Sequence, residues 1–250
     1  MRTPVSRPAF LPILLWLTAA LLYGACSSPA ANSAPEPSPT ATESPTVAPE
    51  ETRQPPPSPT ARPSVPGLLE PVSKSFSLGS EYVPQDLVEL TEVPVTRPGV
   101  RLRQVACEPL KRMLSDARGQ GLAIMVLSGY RSFDEQAVIH AAAIRASGEA
   151  EASRYSARPG HSEHQLGTTV DFTSPAVHYD LVEAFGLTPE GRWLRDNAHR
   201  YGFLLSYPEG KEEVTGYMYE PWHYRYVGEE TAAAVLRAGV TLHEYLNGRH

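Results

Sequence analysis

Basic clusters are missing from this sequence. Its 22 Lys and Arg are outnumbered by 28 Asp and Glu, the net charge is −6, and nowhere do the cations form the run that neutralises phosphates. That excludes nucleic acid as the expected main partner. Cysteine is scarce as well: Cys26 and Cys107 are the only two in 250 residues. Cys107 lies in an apolar-periodic stretch, VRLRQVACEPLKRML, and reads as a small buried hydrophobe, with nothing nearby that would activate a thiol. No internal repeat and no HExxH helix are present, so neither a repeat array nor the zincin device is implied. The apolar run at 10–23, FLPILLWLTAALLY, is too short and too interrupted by Pro12 for a good membrane span.

What is abundant is proline, 25 residues, and its uneven placement divides the chain. Residues 1–26 read as an export signal, with Arg2 and Arg7 ahead of the apolar run and small residues before Cys26. LYGAC resembles a bacterial lipobox, apart from Tyr23 where an aliphatic residue is usual. The resemblance implies that Cys26 is lipidated and anchors the chain to a membrane, which would rule out a disulfide to Cys107. Residues 27–66 are rich in Pro, Ser, Thr, Ala and Glu and nearly devoid of large apolar side chains. Such a segment cannot bury a core and is expected to be a disordered, extended tether. Residues 67–250 are long enough for one good core and are expected to form the functional domain, as a monomer.

Within that domain, apolar spacing predicts a helix over 101–119, with Pro109 awkward inside it and a kink or two shorter pieces the expected result. The LAIMVL run at 122–127 reads as a buried strand. A helix is expected at 134–146, capped by Ser132 or Asp134, and another at 189–200 with Pro189 at its start. Strands are expected at 168–172, 202–207 and 222–227, and a closing helix at 229–246 with Gly239 as its weak point. Mixed helices and short strands point to an α+β domain: a small, mainly antiparallel sheet flanked by helices.

Three polar clusters stand out: Ser128–Ser132 (SGYRS), Pro159–Asp171 (PGHSEHQLGTTVD) and Glu220–His223 (EPWH). His164 and Asp171 are seven apart with Gly167 between them to let the chain turn, so a loop residue and a strand residue can face one point. Imidazole and carboxylate are both ligands for a divalent metal, zinc above all. His223 can supply a third ligand, leaving a fourth position for water, which is the catalytic arrangement. A metal held there lowers the pKa of its water to about 7 and polarises a carbonyl. Glu220, kept off a helix by Pro221, can stand beside the metal as a general base. On the strand that follows, His223 and Arg225 share one face, and Trp222, Tyr224 and Tyr226 the other. Arg131 is either a surface cation or a guanidinium that clamps a substrate carboxylate or steadies an oxyanion. Ser162 either bonds substrate or closes a turn, and Trp222 is either a pocket wall or core. His140, His178, His199 and His243 lack a ligand-like context and are read as structural.

The segment SxHxxGxTxD (Ser162, His164, Gly167, Thr169, Asp171), with Glu220, Trp222 and His223, resembles the signature of the VanY-type D-alanyl-D-alanine carboxypeptidases of the LAS superfamily. SGYRS with Gln136, and YVPQDLVEL at 82–90, match the same pattern in the same order. Thr169 stands where the family usually has Ala. The resemblance implies the LAS, hedgehog-like fold, zinc on His164, Asp171 and His223, Glu220 as base, and Arg131 at the substrate or transition state. Ser162, Gln136 and Trp222 would line the substrate pocket. The implied substrate is the peptidoglycan stem peptide, trimmed at its C-terminal D-alanine at the cell envelope, outside the cytoplasm. L,D-carboxypeptidase, D,D-endopeptidase or dipeptidase activity of the same fold is the alternative, and a non-catalytic wall-binding module with a structural metal is the reading from another class.

Overall fold

The computed structural model describes residues 67–248. The expected export signal, the lipidation site Cys26 and the tether lie outside the described residues. Among the described residues, no helix is long and apolar enough to cross a membrane.

The first pairing is one that periodicity did not announce. Strand β1 (Leu87–Glu89) runs antiparallel to β2 (Arg101–Arg103). Residues 101–103, expected as the first turn of a helix, therefore make strand hydrogen bonds instead, and tertiary pairing outweighs local spacing. Helix α1 (Gln104–Gly119) follows at once and is continuous through Pro109, so the expected division into two pieces does not occur. Pro109 removes one backbone donor, but its ring is buried on the core face with Ala106, Leu110, Met113 and Leu114.

The central sheet contains β3 (Met125–Ser128), β4 (Thr169–Thr173), β5 (Phe203–Leu205) and β6 (His223–Tyr226), in the order β3-β4-β6-β5 and wholly antiparallel. Alternation along β4 and β6 assigns the two faces. Val170, Phe172 and Tyr224 join the main core with Val126, Phe203 and the buried residues of α1. Thr169, Asp171, His223 and Arg225 occupy the other face, where Asp171 lies opposite His223 and Thr169 opposite Arg225. The fold is thus the expected α+β class.

Helix α2 (Phe133–Ser147) begins at Ser132, whose hydroxyl and Glu135 form a reciprocal capping box. The short helix α3 (Glu149–Tyr155) turns back beside it at Gly148. Helix α4 (Pro189–Asn197) is followed by a tight 3-10 turn at Ala198–Tyr201 and then β5, and α5 (Glu212–Thr215) lies between β5 and β6. The expected closing helix is two helices, α6 (Glu229–Ala238) and α7 (Leu242–Leu246). Gly239, at φ 66°, ends the first, and Thr241 with Glu244 caps the second.

Candidate metal centre

The polar face of β4 and β6 is where the ligand-type side chains meet. A 3-10 turn at Glu163–Leu166 carries His164 to this face. Ser162 Oγ accepts a bond from the His164 amide, and Gly167 closes the turn in the left-handed region at φ 69°. His164 Nε2 stands 3.2 Å from Asp171 Oδ2, and His223 Nδ1 stands 3.2 Å from Asp171 Oδ1. One ligand atom from each of the three residues lies within 4.8 Å of the others, and all three residues are buried.

Each histidine is fixed by a hydrogen bond on its far nitrogen. His164 Nδ1–H donates to the Gly129 carbonyl at 2.7 Å, and His223 Nε2–H donates to Glu163 Oε2 at 3.0 Å. These bonds select the tautomers and leave His164 Nε2 and His223 Nδ1 turned inward as lone pairs. Between them Asp171 Oδ1 is buried without a hydrogen-bond partner, while Oδ2 accepts from Ser128 Oγ. A bulge between Val126 and Ser128 brings that hydroxyl opposite Asp171. Two imidazole nitrogens and a carboxylate converging on one point, with Asp171 Oδ1 unpartnered, are the chemistry of a cation site. Two imidazoles and a carboxylate fit one zinc ion with a coordination position to spare.

The electrostatics agree. Burial works to raise Asp171, yet the two histidines hold its carboxyl well below the usual range. Burial opposes a charge on His223, but Asp171 and Glu163 outweigh it and raise the ring to about 10. The same surplus of negative charge favours a divalent ion, which would displace that proton on binding.

Glu163 escaped the sequence reading. It is 5% exposed, and besides His223 it accepts a 3.1 Å bond from Arg225 Nη1. Arg225 is wholly buried, and its Nη2 donates to the carbonyls of Leu68 and Glu70. The pair therefore ties His223 to the chain entering the domain. Glu163→Gln is expected to weaken zinc binding about 10- to 100-fold, because the ring loses its orienting carboxylate. Competition against a chromophoric chelator measures this, and an unchanged affinity would remove Glu163 from the centre. Gly129 carries a related load. A Cβ there would meet the Arg101 carbonyl oxygen at 2.3 Å, so Gly129→Ala must shift the backbone that holds His164. A loss of about 1–3 kcal/mol in unfolding free energy is expected, read by denaturant titration, together with weaker zinc binding.

Glu220 is buried, with Oε2 3.5 Å from His223 Nδ1. Burial, reinforced by the charge of Asp171 and opposed by His223, raises its carboxyl to about 8. A cleft of about 460 Å³ opens over the centre, and Arg131, Ser162, His164, Glu220, Trp222 and His223 line it. Arg131 Nη1 donates to Gln136 Oε1 at 2.8 Å, and its Nη2 lies 3.9 Å from Asp171 Oδ2. Gln136 also lines the cleft, but it is 2% exposed and its Nε2 donates to the Ala157 carbonyl. Both ends of its amide are thus engaged, which makes it a brace for Arg131. The Tyr207 ring packs on His223 at 4.7 Å between centroids. Cys107 is distant in role as in sequence: burial, with Glu108 and Asp86, pushes its thiol up to about 11.

These features define an α+β domain with a buried His–Asp–His group at the floor of a cleft that could hold one metal ion. The VanY D-alanyl-D-alanine carboxypeptidase family model matches residues 99–229, and the chain belongs to that family. It is 40% identical over 182 residues to the putative carboxypeptidase YodJ of Bacillus subtilis (strain 168), covering 71% of this chain and 66% of that one. Among solved structures it resembles the LdcB LD-carboxypeptidase, with TM-score 0.66 and 40% identity, covering 70% of this chain and 84% of that one. It also resembles the D,D-pentapeptidase VanY of a VanB-type resistance cassette in complex with Zn(II), with TM-score 0.61 and 33% identity over 72% of this chain and 99% of that one. The chain spans about half to two thirds of the length of three curated carboxypeptidases that it matches.

Proposed function

We propose that this protein is a zinc-dependent carboxypeptidase that removes the C-terminal D-alanine from peptidoglycan stem peptides. The observation that carries the reading is the placement of Glu220 beside, and not within, the His164–Asp171–His223 ligand set on the floor of an open cleft. Zinc, when bound, supplies a Lewis acid that polarises the scissile carbonyl and acidifies water. Glu220 takes the proton of the attacking water and returns it to the leaving amine. Arg131, braced by Gln136, meets either the terminal carboxylate of the peptide or the charge that develops on the carbonyl oxygen. Ser162 and Trp222 border the space the peptide would fill.

The second reading, an L,D-carboxypeptidase, draws on the 40% identity to the LdcB LD-carboxypeptidase. Purified muropeptides incubated with the protein and followed by mass spectrometry separate the two. Loss of the last residue from pentapeptides supports the first, and loss from tetrapeptides the second. Release from neither sinks the carboxypeptidase reading and leaves an endopeptidase or dipeptidase of the same fold, or the wall-binding module. Export by residues 1–26, lipidation of Cys26 and a 27–66 tether would hold the domain at the membrane facing such a substrate. Detergent-phase partition that Cys26→Ser abolishes is the expected sign of the anchor.

A further inference from the structure

Beside the metal cleft lies a second pocket, about 310 Å³, lined by Lys74, His140, Glu149, Ser153, Arg158 and others. Ser156 and Tyr217 line both spaces, so the two adjoin. We propose that this side pocket is a subsite for a carboxylate that the substrate carries away from the bond to be cut. The inference rests on the peptidase reading and adds a substrate feature to it.

Two cations meet here by construction. Lys74 Nζ donates to the Ser153 carbonyl and sits 4.6 Å from the centre of the Tyr217 ring. Arg158 Nη2 donates to the Lys74 carbonyl at 3.1 Å. Both are held by neutral groups, and among the described residues neither has a carboxylate within ion-pair distance. Glu212 and Glu151 both pair with Arg154, and Glu212 also reaches Lys74 electrostatically, without an ion-pair contact. Within the lining itself the cations Lys74 and Arg158 face a single carboxylate, Glu149. Burial and the neighbouring Arg158 lower the Lys74 pKa, against the opposing charge of Glu212. His140, with Nδ1 3.4 Å from Ser156 Oγ, adds a polar group on the side toward the cleft. A carboxylate entering from the cleft would meet an ammonium and a guanidinium together, with charge-assisted hydrogen bonds to each.

The test uses a peptide pair ending in D-Ala-D-Ala that differs only at one upstream residue, bearing either a free carboxylate or its amide. Binding is measured by calorimetry on the zinc-loaded full-length Glu220→Gln protein, which is meant to hold peptide without cutting it. The carboxylate peptide is expected to bind about tenfold tighter, and Lys74→Met or Arg158→Gln, added singly, to bring the ratio close to one. Equal affinities, a ratio that survives both substitutions, or failure of the carboxylate peptide to bind overturns the subsite. D-Alanine release by the unsubstituted protein is followed in parallel. A binding preference without release supports the subsite and counts against the hydrolase, whereas release without a preference does the reverse.

Discussion

Glu220→Gln is expected to hold its zinc, keep its fold and lose about a hundred- to ten-thousandfold in D-alanine release. The amide fills the same volume as the carboxylate it replaces but cannot accept the proton of the attacking water. Glu220 lies outside the group of three convergent ligand atoms, so metal stoichiometry should stay at one per chain. The side chain is buried and its carboxyl is raised to about 8, so near pH 7 it is already largely neutral and a neutral amide of the same shape changes the burial cost little. Stability should therefore hold. The loss is expected in kcat with KM little changed, because the proton moves only as the bond breaks. Steady-state kinetics on a pentapeptide, with metal analysis of the same sample, is the measurement. Equal rates for both proteins would remove the base. Loss of zinc from the variant would make Glu220 a ligand and force a different site.

The ligand set was legible in the sequence because it is local. His164, Gly167 and Asp171 fall within eight residues, and the period of two along 222–227 puts His223 and Arg225 on one face. Both expectations rest on backbone geometry that few contacts can override. The unread parts depend on distant pairing. Arg101–Arg103 carries a helical pattern yet forms a strand, because Leu87–Glu89 lies alongside it. Glu163 sat unremarked between Ser162 and His164, since glutamate is ordinarily exposed. Its burial is fixed by Arg225, 62 residues away. The carbonyl of Gly129, which orients His164, carries no side-chain signal at all. Gln136 was read as lining the substrate pocket. It does line the cleft, and its amide is also shared between Arg131 and the Ala157 carbonyl, contacts that only geometry could add.

Stripping the metal should have the other large effect, and on two observables at once. Asp171, Glu163 and Glu220 are all buried within reach of one another, and Arg225 and Arg131 are the cations that face them. Asp171 Oδ1 has no donor of its own. A divalent ion held by His164, Asp171 and His223 would supply the missing charge, so removing it is expected to cost stability as well as activity. Zinc at a hundred times its dissociation constant adds about 2.7 kcal/mol. For a domain of this size that corresponds to roughly 5–10 °C in Tm. Chelator-treated protein is thus expected to release no measurable D-alanine and to melt lower by about that amount, with zinc restoring both. Magnesium should restore neither, because two of the three ligands are imidazole nitrogens and magnesium prefers oxygen. The Glu163→Gln protein should need more zinc for the same thermal shift, which links the melting curve to the His223–Glu163 bond. Calorimetric scans across a zinc titration, paired with the release assay, test all of this. Apoprotein that melts where the zinc-loaded protein does and cleaves as fast would mean that these three residues hold no working metal.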